Sequence, residues 1–362
     1  MTAPLDTDVR DTTRAATRRL LEAMPKAELH LHLDGSLRID TAIEIARTRG
    51  IDAPRDWIGM SAALVGEMPG TSQAELLKRF DLPIALMQDA EALERIASDL
   101  VEAKAADKVR YVEIRWGPLL HVARGLPLLD GIAAVVRGAN EAASRSGITV
   151  RLISTAIRSH DPERNVDLAE TAARFIDQGL TGWDLAGQEA AYPDPLLHAR
   201  AYEAARANGL RLTIHAGEWG GAAQVRRSLV FDPERIAHGP GAIEDEALCN
   251  ELRARGITLD LAPTSNWQGS IVPSVAEHPL GPLYRLGVPV TLSTDDLTVS
   301  DLTLSEEYIN AHEQIGLSLP DLWAIDRHAL DVAFADEATL LPLRREFDDW
   351  AAGIPEFATV RA

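Results

Sequence analysis

Eight short runs of β-branched or aliphatic residues recur along the chain, and each is followed by a stretch with helical composition. This alternation is typical of a parallel sheet wrapped by helices. The predicted strands span residues 27–33, 109–116, 149–157, 181–186, 210–216, 235–239, 257–262 and 288–294. Eight such units in a chain of 362 residues predict a single domain, residues 1–362, with the architecture of a (β/α)8 TIM barrel.

Helices are predicted between the strands and after the last one. Residues 168–178 and 195–208 are rich in alanine and leucine, and each stretch ends at a glycine, Gly179 or Gly209, as expected just past a helix C-terminus. Residues 322–334 and 337–350 are predicted to form C-terminal closing helices.

The gap between the first two predicted strands is far longer than the loop of an ordinary βα unit. Residues 37–48, 73–80 and 89–104 within it are predicted to be helical. We interpret residues 37–105 as a helical insertion that covers the barrel mouth and could gate a pocket. A separate small domain is the alternative, but no Gly/Ser-rich or Pro-rich linker sets the segment apart.

The charge balance restricts the class of partner. Asp and Glu number 55 against 36 Lys and Arg, for a formal charge of −19. Such a surface repels nucleic acid and anionic membranes, so a small-molecule substrate is expected, although solubility alone would also explain the charge. The single cysteine, Cys249, excludes an internal disulfide. No signal-peptide core or membrane-length apolar run is present, which predicts a cytoplasmic protein; the sequence indicates no oligomeric state.

Two histidines lie two residues apart in the first predicted strand. His30 and His32 therefore point to one face, and the intervening leucines point to the other. Two imidazoles that project together into a barrel are costly to bury unless something binds them, and zinc accepts neutral imidazole nitrogen. A hydrogen-bonded pair of core histidines is the alternative for this motif taken alone.

Three later strands also end in residues that bind metals or transfer protons. The fifth ends in His215 with Glu218 close behind, the sixth in His238, and the eighth in Asp295 and Asp296. The C-terminal ends of barrel strands meet on the face where barrel enzymes build active sites. This convergence favours a metal-dependent catalytic site over an inert core.

These motifs resemble those of the adenosine deaminase family, within the wider amidohydrolase group of metal-dependent barrels. The matching stretches are residues 25–36, 184–187, 215–218, 237–239 and 294–296. They occur in the family's order and span most of the chain. The resemblance implies zinc-dependent hydrolytic deamination of adenosine or 2′-deoxyadenosine to inosine or 2′-deoxyinosine plus ammonia, hence a purine nucleoside substrate.

The resemblance assigns the zinc ligands to His30, His32, His215 and Asp295. Three imidazoles and one carboxylate leave room for the water that catalytic zinc requires. Some binuclear barrels of the wider group bridge two metals with a carboxylated lysine on a middle strand. Lysines here occur only at positions 26, 78, 104 and 108, so one zinc ion per chain is expected.

By the same resemblance, three residues carry the proton transfers. His238 and Asp296 orient the attacking water and take up its proton. Glu218 is the general acid that protonates purine N1, which implies a pKa raised by burial. Because adjacent residues of a strand face opposite ways, the chain must bend at the strand end for both Asp295 and Asp296 to reach the site.

Substrate contacts are implied for His32, Asp34, Gly187 and Asp296. The backbone N–H of Gly187 would meet purine N3, and Asp34 would receive the ribose 5′-hydroxyl. Taken without the resemblance, Gly187 and Asp34 are ordinary turn residues.

Three positions depart from the family's pattern, namely Gln188, Ala262 and Leu297; they are expected to lie around the pocket, and they leave the substrate open. Trp219, immediately after Glu218, is large enough to reshape the pocket too. The alternatives are a deaminase of another 6-aminopurine, such as 6-aminodeoxyfutalosine or adenine, and a different metal-dependent hydrolase of cyclic amides. Asp34 favours a nucleoside, since free adenine has no sugar to hold. A catalytically silent barrel would be expected to lose a ligand or Glu218, and all are present.

Overall fold

The computed structural model describes residues 5–66 and 73–360. Nine strand segments lie within them, in one five-stranded and one four-stranded parallel sheet. They are β1 (Lys26–His32), β2 (Val109–Trp116), β3 (Thr149–Ile157), β4 (Leu180–Ala186), β5 (Arg211–Leu212), β6 (His215–Ala216), β7 (Arg235–His238), β8 (Thr258–Leu261) and β9 (Val290–Leu292). Segments β5 and β6 together occupy the predicted fifth strand, so all eight predicted strands are confirmed.

Backbone hydrogen bonds join the two sheets into one ring. On one side, Glu234 N–H donates to the carbonyl of Leu212 and Ala237 N–H to that of Ile214, so pairing continues across the interruption between β5 and β6. On the other side, Leu31 forms a parallel bridge with Asp295, just past β9. The result is the predicted (β/α)8 TIM barrel, closed between its first and last strands.

Helices surround the ring. They are α1 (Leu5–Ala23), α2 (Ile39–Arg49), α3 (Trp57–Leu64), α4 (Gln73–Leu77), α5 (Asp81–Leu86), α6 (Ala90–Ala106), α7 (Leu128–Ser146), α8 (Pro162–Ala173), α9 (Ala199–Ala207), α10 (Gly221–Ser228), α11 (Glu246–Arg255), α12 (Pro263–Gln268), α13 (Leu280–Arg285), α14 (Leu304–Asn310), α15 (Leu319–Val332) and α16 (Glu337–Ala352). The predicted closing helices are α15 and α16. In the part of the chain that the structure describes, no helix combines the length and the apolar character needed to cross a bilayer.

The segment between β1 and β2 has two different surroundings. Its last helix, α6, packs against α7, closely enough that a Cβ on Gly138 would lie 2.1 Å from the carbonyl oxygen of Glu94. The stretch from Gln73 to Ile84, in α4, a short 3-10 helix (Lys78–Phe80) and α5, instead borders a cavity at the C-terminal ends of the strands. Helices α3 and α5 were not predicted: α3 leaves Trp57 and Ile58 exposed and so lacks a clear apolar stripe, and α5 contains Pro83.

A layer of paired charges fills part of the barrel interior. The Arg235 guanidinium contacts Glu113 and also donates to Asp260 Oδ2 at 3.1 Å. Arg115 Nη1 donates to Asp184 Oδ2 at 3.2 Å. All five side chains are fully buried. We call this set the charged layer; each of its carboxylates contacts a guanidinium.

Candidate metal centre and active site

Four side chains from the beginning, middle and end of the chain converge at the open end of the barrel. His30 and His32 project from β1, His215 from β6, and Asp295 follows β9. His32 Nε2 lies 3.3 Å from His30 Nε2, 3.1 Å from His215 Nε2 and 3.4 Å from Asp295 Oδ1. His30 Nε2 lies 3.0 Å from the same Asp295 oxygen. The sequence prediction that these groups meet is correct.

The spacing of these atoms fits one zinc ion. Tetrahedral zinc with Zn–N bonds of about 2.0–2.1 Å places its ligand atoms about 3.3 Å apart. Burial lowers the pKa of His30 and His215, which keeps both imidazoles neutral, the form that ligates zinc. Four such acceptors close together, with no cation among them, would be costly to bury without a bound ion.

His238 is a fifth side chain beside this cluster. One ligand atom from each of His30, His215, His238 and Asp295 lies within 4.8 Å of the others. His238 Nε2 is 3.9 Å from Asp295 Oδ2, farther than His32 Nε2 is from the other three groups, and 3.8 Å from Glu218 Oε2. His32 therefore fits the fourth coordination position better, and His238 lies between the cluster and Glu218.

The predicted bend at the end of the last strand is present. Asp295 has a φ of 69°, in the left-handed region that non-glycine residues rarely occupy, and His238 has a φ of 67°. Both Asp295 and Asp296 consequently border the same cavity. Strained backbone of this kind persists where surrounding structure fixes it, and it is concentrated at functional sites.

Two carboxyl groups beside the cluster are biased toward the protonated form. Burial raises the pKa of Glu218 well above its usual range, and the charges of Asp295 and Glu189 add to the effect. Burial and the neighbouring Asp295, Asp34 and Glu218 likewise raise the pKa of Asp296. A Cβ at Gly35 would lie 1.6 Å from Asp296 Oδ1, so only glycine leaves room for this carboxyl group.

A cavity of about 480 Å³ opens onto these groups. The predicted site residues that line it are His32, Asp34, Gly187, His215, Glu218, His238, Asp295 and Asp296. His30 lies beneath the lining and is fully buried. Of the three residues that depart from the family's pattern, Gln188 borders the cavity, whereas Ala262 and Leu297 do not; Trp219 borders it as well. The expectation that the three departures surround the pocket is wrong for Ala262 and Leu297, because Ala262 is buried in the core and Leu297 packs against it.

Supporting side chains without a predicted role hold the site residues. Asp184 Oδ2 lies 2.8 Å from His215 Nδ1, and Asp184 also contacts Arg115, so it connects the charged layer to the site. Ser265 Oγ donates to Asp295 Oδ2 at 2.6 Å. Such partners fix the orientation of metal-binding side chains. Asp184 lies within β4 and Ser265 within α12, and nothing in the sequence identifies their partners.

Glu189 holds the loop that carries Glu218. It is buried and accepts backbone hydrogen bonds from Gly217 at 2.8 Å, Trp219 at 2.8 Å and Gly220 at 2.9 Å. Because these three amides flank Glu218, the Glu189 carboxylate fixes the backbone from which the Glu218 side chain projects. We call this arrangement the Glu189 clamp.

A (β/α)8 barrel whose strand ends gather three imidazoles and a carboxylate around one ion position, beside a buried glutamic acid, defines a metal-dependent hydrolase. Comparisons with known proteins narrow this class. The family model for adenosine deaminase matches residues 25–350. An adenosine deaminase of Clostridium perfringens (strain ATCC 13124) is 36% identical over 317 residues, which cover 87% of this chain and 95% of the relative. This chain belongs to the adenosine deaminase family, and it is a hydrolase acting on C–N bonds with one zinc site.

Solved structures show the same architecture. A zinc-bound amidohydrolase of the cog1816 group from Burkholderia ambifaria superposes with a TM-score of 0.84 at 30% identity, with 94% of each chain covered. The N6-methyl-AMP deaminase of Arabidopsis thaliana has a TM-score of 0.82 at 28% identity, covering 93% of this chain and 99% of that one. An adenine deaminase from Arthrobacter aurescens has a TM-score of 0.83 at 25% identity, covering 91% and 100%. The last two neighbours are deaminases of different purines, N6-methyl-AMP and adenine, so the fold alone does not select a substrate.

Proposed function

We propose that this chain catalyses hydrolytic removal of the 6-amino group of adenosine and 2′-deoxyadenosine, giving inosine or 2′-deoxyinosine and ammonia. The observation that carries the proposal is the convergence of the ion-binding cluster with Glu218 on one cavity. The cluster supplies a place for the nucleophile, and Glu218 supplies a proton for the base being attacked.

The residues that would hold zinc are His30, His32, His215 and Asp295. When bound, zinc provides a hydrolytic nucleophile at neutral pH by lowering the pKa of water. Asp184 supports this set by holding His215 from behind, at its Nδ1, which leaves Nε2 directed toward the cluster.

Glu218 is assigned as the general acid. Its raised pKa favours the protonated carboxyl group, and the cavity exposes that group to a bound base. Transfer of this proton to purine N1 reduces the aromaticity of the ring and makes C6 open to attack. Asp296 and His238 border the space beside Glu218 and orient the attacking water.

The cavity lining favours a nucleoside over a nucleotide. Among the described residues that line it, none is Lys or Arg, whereas Asp34, Asp81, Glu218, Asp295 and Asp296 are carboxylic. A 5′-phosphate would meet the carboxylates of Asp34 and Asp81 and no Lys or Arg side chain, which opposes its binding. Asp34 and Gly187 are assigned to the ribose 5′-hydroxyl and to purine N3, and His32 and Asp296 complete the substrate contacts.

The helical segment after β1 is assigned as the cover of the mouth. Four apolar side chains of this segment, Leu76, Leu77, Phe80 and Ile84, border the cavity opposite the strand ends. They would exclude bulk water from the reacting groups, which strengthens the electrostatic interactions inside the site.

The proposal is tested by measuring ammonia release from adenosine, 2′-deoxyadenosine, adenine, 6-aminodeoxyfutalosine, AMP and a lactam substrate. We expect kcat/KM for the two nucleosides to exceed that for AMP by at least about 100-fold, equivalent to about 2.7 kcal/mol. Complete removal of metal should abolish turnover, and one equivalent of zinc should restore it. Purine turnover that survives full metal removal, or a preference for AMP, would contradict the proposal.

A further inference from the structure

A chain of four polar groups runs from the backbone of α13 to the candidate active site. It begins at Leu280, whose backbone N–H donates to His278 Nδ1 at 3.1 Å. A backbone amide can only donate, so His278 Nδ1 must be the unprotonated ring nitrogen. Burial lowers the pKa of His278 to about 3, so its ring is neutral and the single proton lies on Nε2.

The next two contacts follow from that proton. His278 Nε2 lies 3.0 Å from Asn266 Oδ1, which therefore accepts its hydrogen bond. This contact fixes the direction of the Asn266 amide, because the opposite orientation would bring two N–H donors together. Asn266 Nδ2 then donates to His238 Nδ1 at 3.1 Å.

We call this series of hydrogen bonds, from Leu280 through His278 and Asn266 to His238, the relay. It determines which nitrogen of His238 carries the proton. Its Nδ1 accepts a hydrogen bond and carries no proton, so the neutral ring carries its proton on Nε2. That nitrogen is the one that faces the site, 3.8 Å from Glu218 Oε2 and 3.9 Å from Asp295 Oδ2. A doubly protonated ring would press an Nδ1–H against the Asn266 amide group, so the relay opposes that form as well.

We propose that His278 and Asn266 are positioning residues that hold His238 as its Nε2–H tautomer, so that His238 serves the reaction as a hydrogen-bond donor. This inference rests on the proposed deaminase function, and it replaces the expectation that His238 takes up the proton of the attacking water. A nitrogen that already bears a proton cannot accept one. The proton that leaves the water passes instead to Glu218, whose carboxylate is free to accept it once Glu218 has given its own proton to purine N1.

The tautomer can be read directly from the zinc-loaded wild-type enzyme. Two-bond ¹H–¹⁵N correlation spectra of protein labelled with ¹⁵N-histidine distinguish a protonated from an unprotonated ring nitrogen, and His238→Gln identifies the signals. We expect His238 Nδ1 to be unprotonated and Nε2 to be protonated. The reverse assignment in the wild-type protein would overturn the inference, whatever its activity.

The substitution Asn266→Asp distinguishes a hydrogen-bond donor role of His238 from a general-base role. Aspartate has no N–H to donate to His238 Nδ1 and instead accepts a hydrogen bond from an Nδ1–H. It should therefore reverse the His238 tautomer, with the proton on Nδ1 and none on Nε2. A donor role then predicts a fall in kcat of about 10²–10³, the usual cost of losing one donor to a developing oxyanion, with one zinc retained. If His238 is the general base, the new carboxylate–imidazole pair supports it, and kcat is kept or raised.

The chain contains a matched control for this substitution. Asn165 Nδ2 lies 3.0 Å from His198 Nδ1, and His198 Nε2 lies 3.2 Å from the carbonyl oxygen of Arg158, outside the cavity lining. Asn165→Asp makes the same chemical change in a buried Asn–His pair and should leave kcat unchanged. An equal loss of kcat in both variants would assign the effect to burial of a new carboxylate and would contradict the inference.

Failure of the function and failure of the inference give different results. If the wild-type enzyme deaminates no purine, the proposed function is wrong, and the spectra still report the tautomer. If it deaminates adenosine while His238 Nε2 is unprotonated, the function stands and the inference is wrong.

Discussion

The barrel interior contains two layers of buried ionisable groups. In one layer the carboxylates are paired with arginines, and in the other they are not. In the charged layer, the carboxylates of Glu113, Asp184 and Asp260 contact the guanidinium groups of Arg115 and Arg235. At the open end, Asp295, Asp296 and Glu218 lie near one another with imidazoles and no Lys or Arg among the described lining residues. The charged layer neutralises its charges internally. The open end instead gathers imidazoles and carboxyl groups that require a bound ion and a substrate as partners.

The backbone differs in the same way. The residues of the charged layer lie within regular strands, whereas His238 and Asp295 adopt positive φ angles where strands end. Paired charges on regular backbone stabilise a structure only if the pairing is complete. Unpaired groups on strained backbone prepare a site for an ion and a substrate. We therefore expect substitutions in the charged layer to change stability and substitutions at the open end to change chemistry.

The largest expected effect is that of Glu218→Gln at the open end. The amide cannot act as a general acid, so kcat should fall by about 10²–10⁴ while zinc remains bound. Steady-state kinetics and elemental analysis measure the two quantities, with Glu170→Gln on exposed α8 as the control. Full activity in Glu218→Gln would show that the assigned proton donor is wrong.

The substitution Arg235→Met tests the charged layer. It leaves Glu113 and Asp260 buried without this cation, and breaking a buried pair in this way costs about 3–5 kcal/mol of unfolding free energy. Urea denaturation measures the loss, and kcat of the folded enzyme should be retained. Arg110→Met removes a partly exposed pair with Glu346 and should cost less than about 1 kcal/mol. Equal losses in the two variants would remove the distinction between paired interior and surface charges.

Glu307 gives a smaller effect that depends on pH. Burial raises the pKa of this carboxyl group from 4.5 to about 7, although Thr264 N–H donates to it at 2.8 Å. Between pH 4.5 and 7 the unfolded chain releases this proton while the folded protein keeps it, so unfolding free energy falls as pH rises through this range. At about 1.4 kcal/mol per pKa unit, the loss amounts to about 3 kcal/mol.

Urea denaturation of the wild type and Glu307→Gln at pH 4.5 and pH 7.5 isolates this contribution, since other titrating groups cancel in the difference. The wild type should lose more stability than the variant as pH rises. Parallel pH profiles would show that this buried carboxylate is stabilised as well as the carboxylates of the charged layer.

The smallest expected effect is that of Glu189→Gln. An amide replaces one oxygen of the Glu189 clamp with a donor, which faces the N–H groups of the loop and displaces Glu218. Small displacements of catalytic groups cost up to about 10²-fold in rate, so we expect kcat to fall by about 10–10² with zinc retained. Glu306→Gln, which alters a surface carboxylate that accepts from Thr303 N–H, is the control. Unchanged kcat in Glu189→Gln would show that the loop needs no clamp.

The sequence predicted the layout of the barrel well because both strand runs and strand ends leave local signals. Apolar runs mark the strands, and a histidine or acid at the C-terminal end of a run marks the active face. Candidate ligands as far apart as His30 and Asp295 could therefore be found without contact information. The bend at Asp295 was also predicted, since two adjacent acids can reach one site only if the strand stops.

What the sequence could not supply is which groups from different strands and loops pair with one another. Nothing near Glu189 indicates that it accepts from amides of the loop after β6, and nothing near Asn266 indicates a relay between two histidines. The charged layer was missed for the same reason, since each strand contributes only one or two of its residues. Which donor pairs with which acceptor is determined only when the ring closes and brings distant parts of the chain together.

The bridge between Leu31 and Asp295 has a consequence for how the protein is made. His30 and His32 lie in the first strand, whereas Asp295 follows the last one, so a growing chain that has not yet reached Asp295 offers an incomplete set of ligands. A product truncated before Asp295 would lack both the bridge that closes the ring and the fourth zinc ligand.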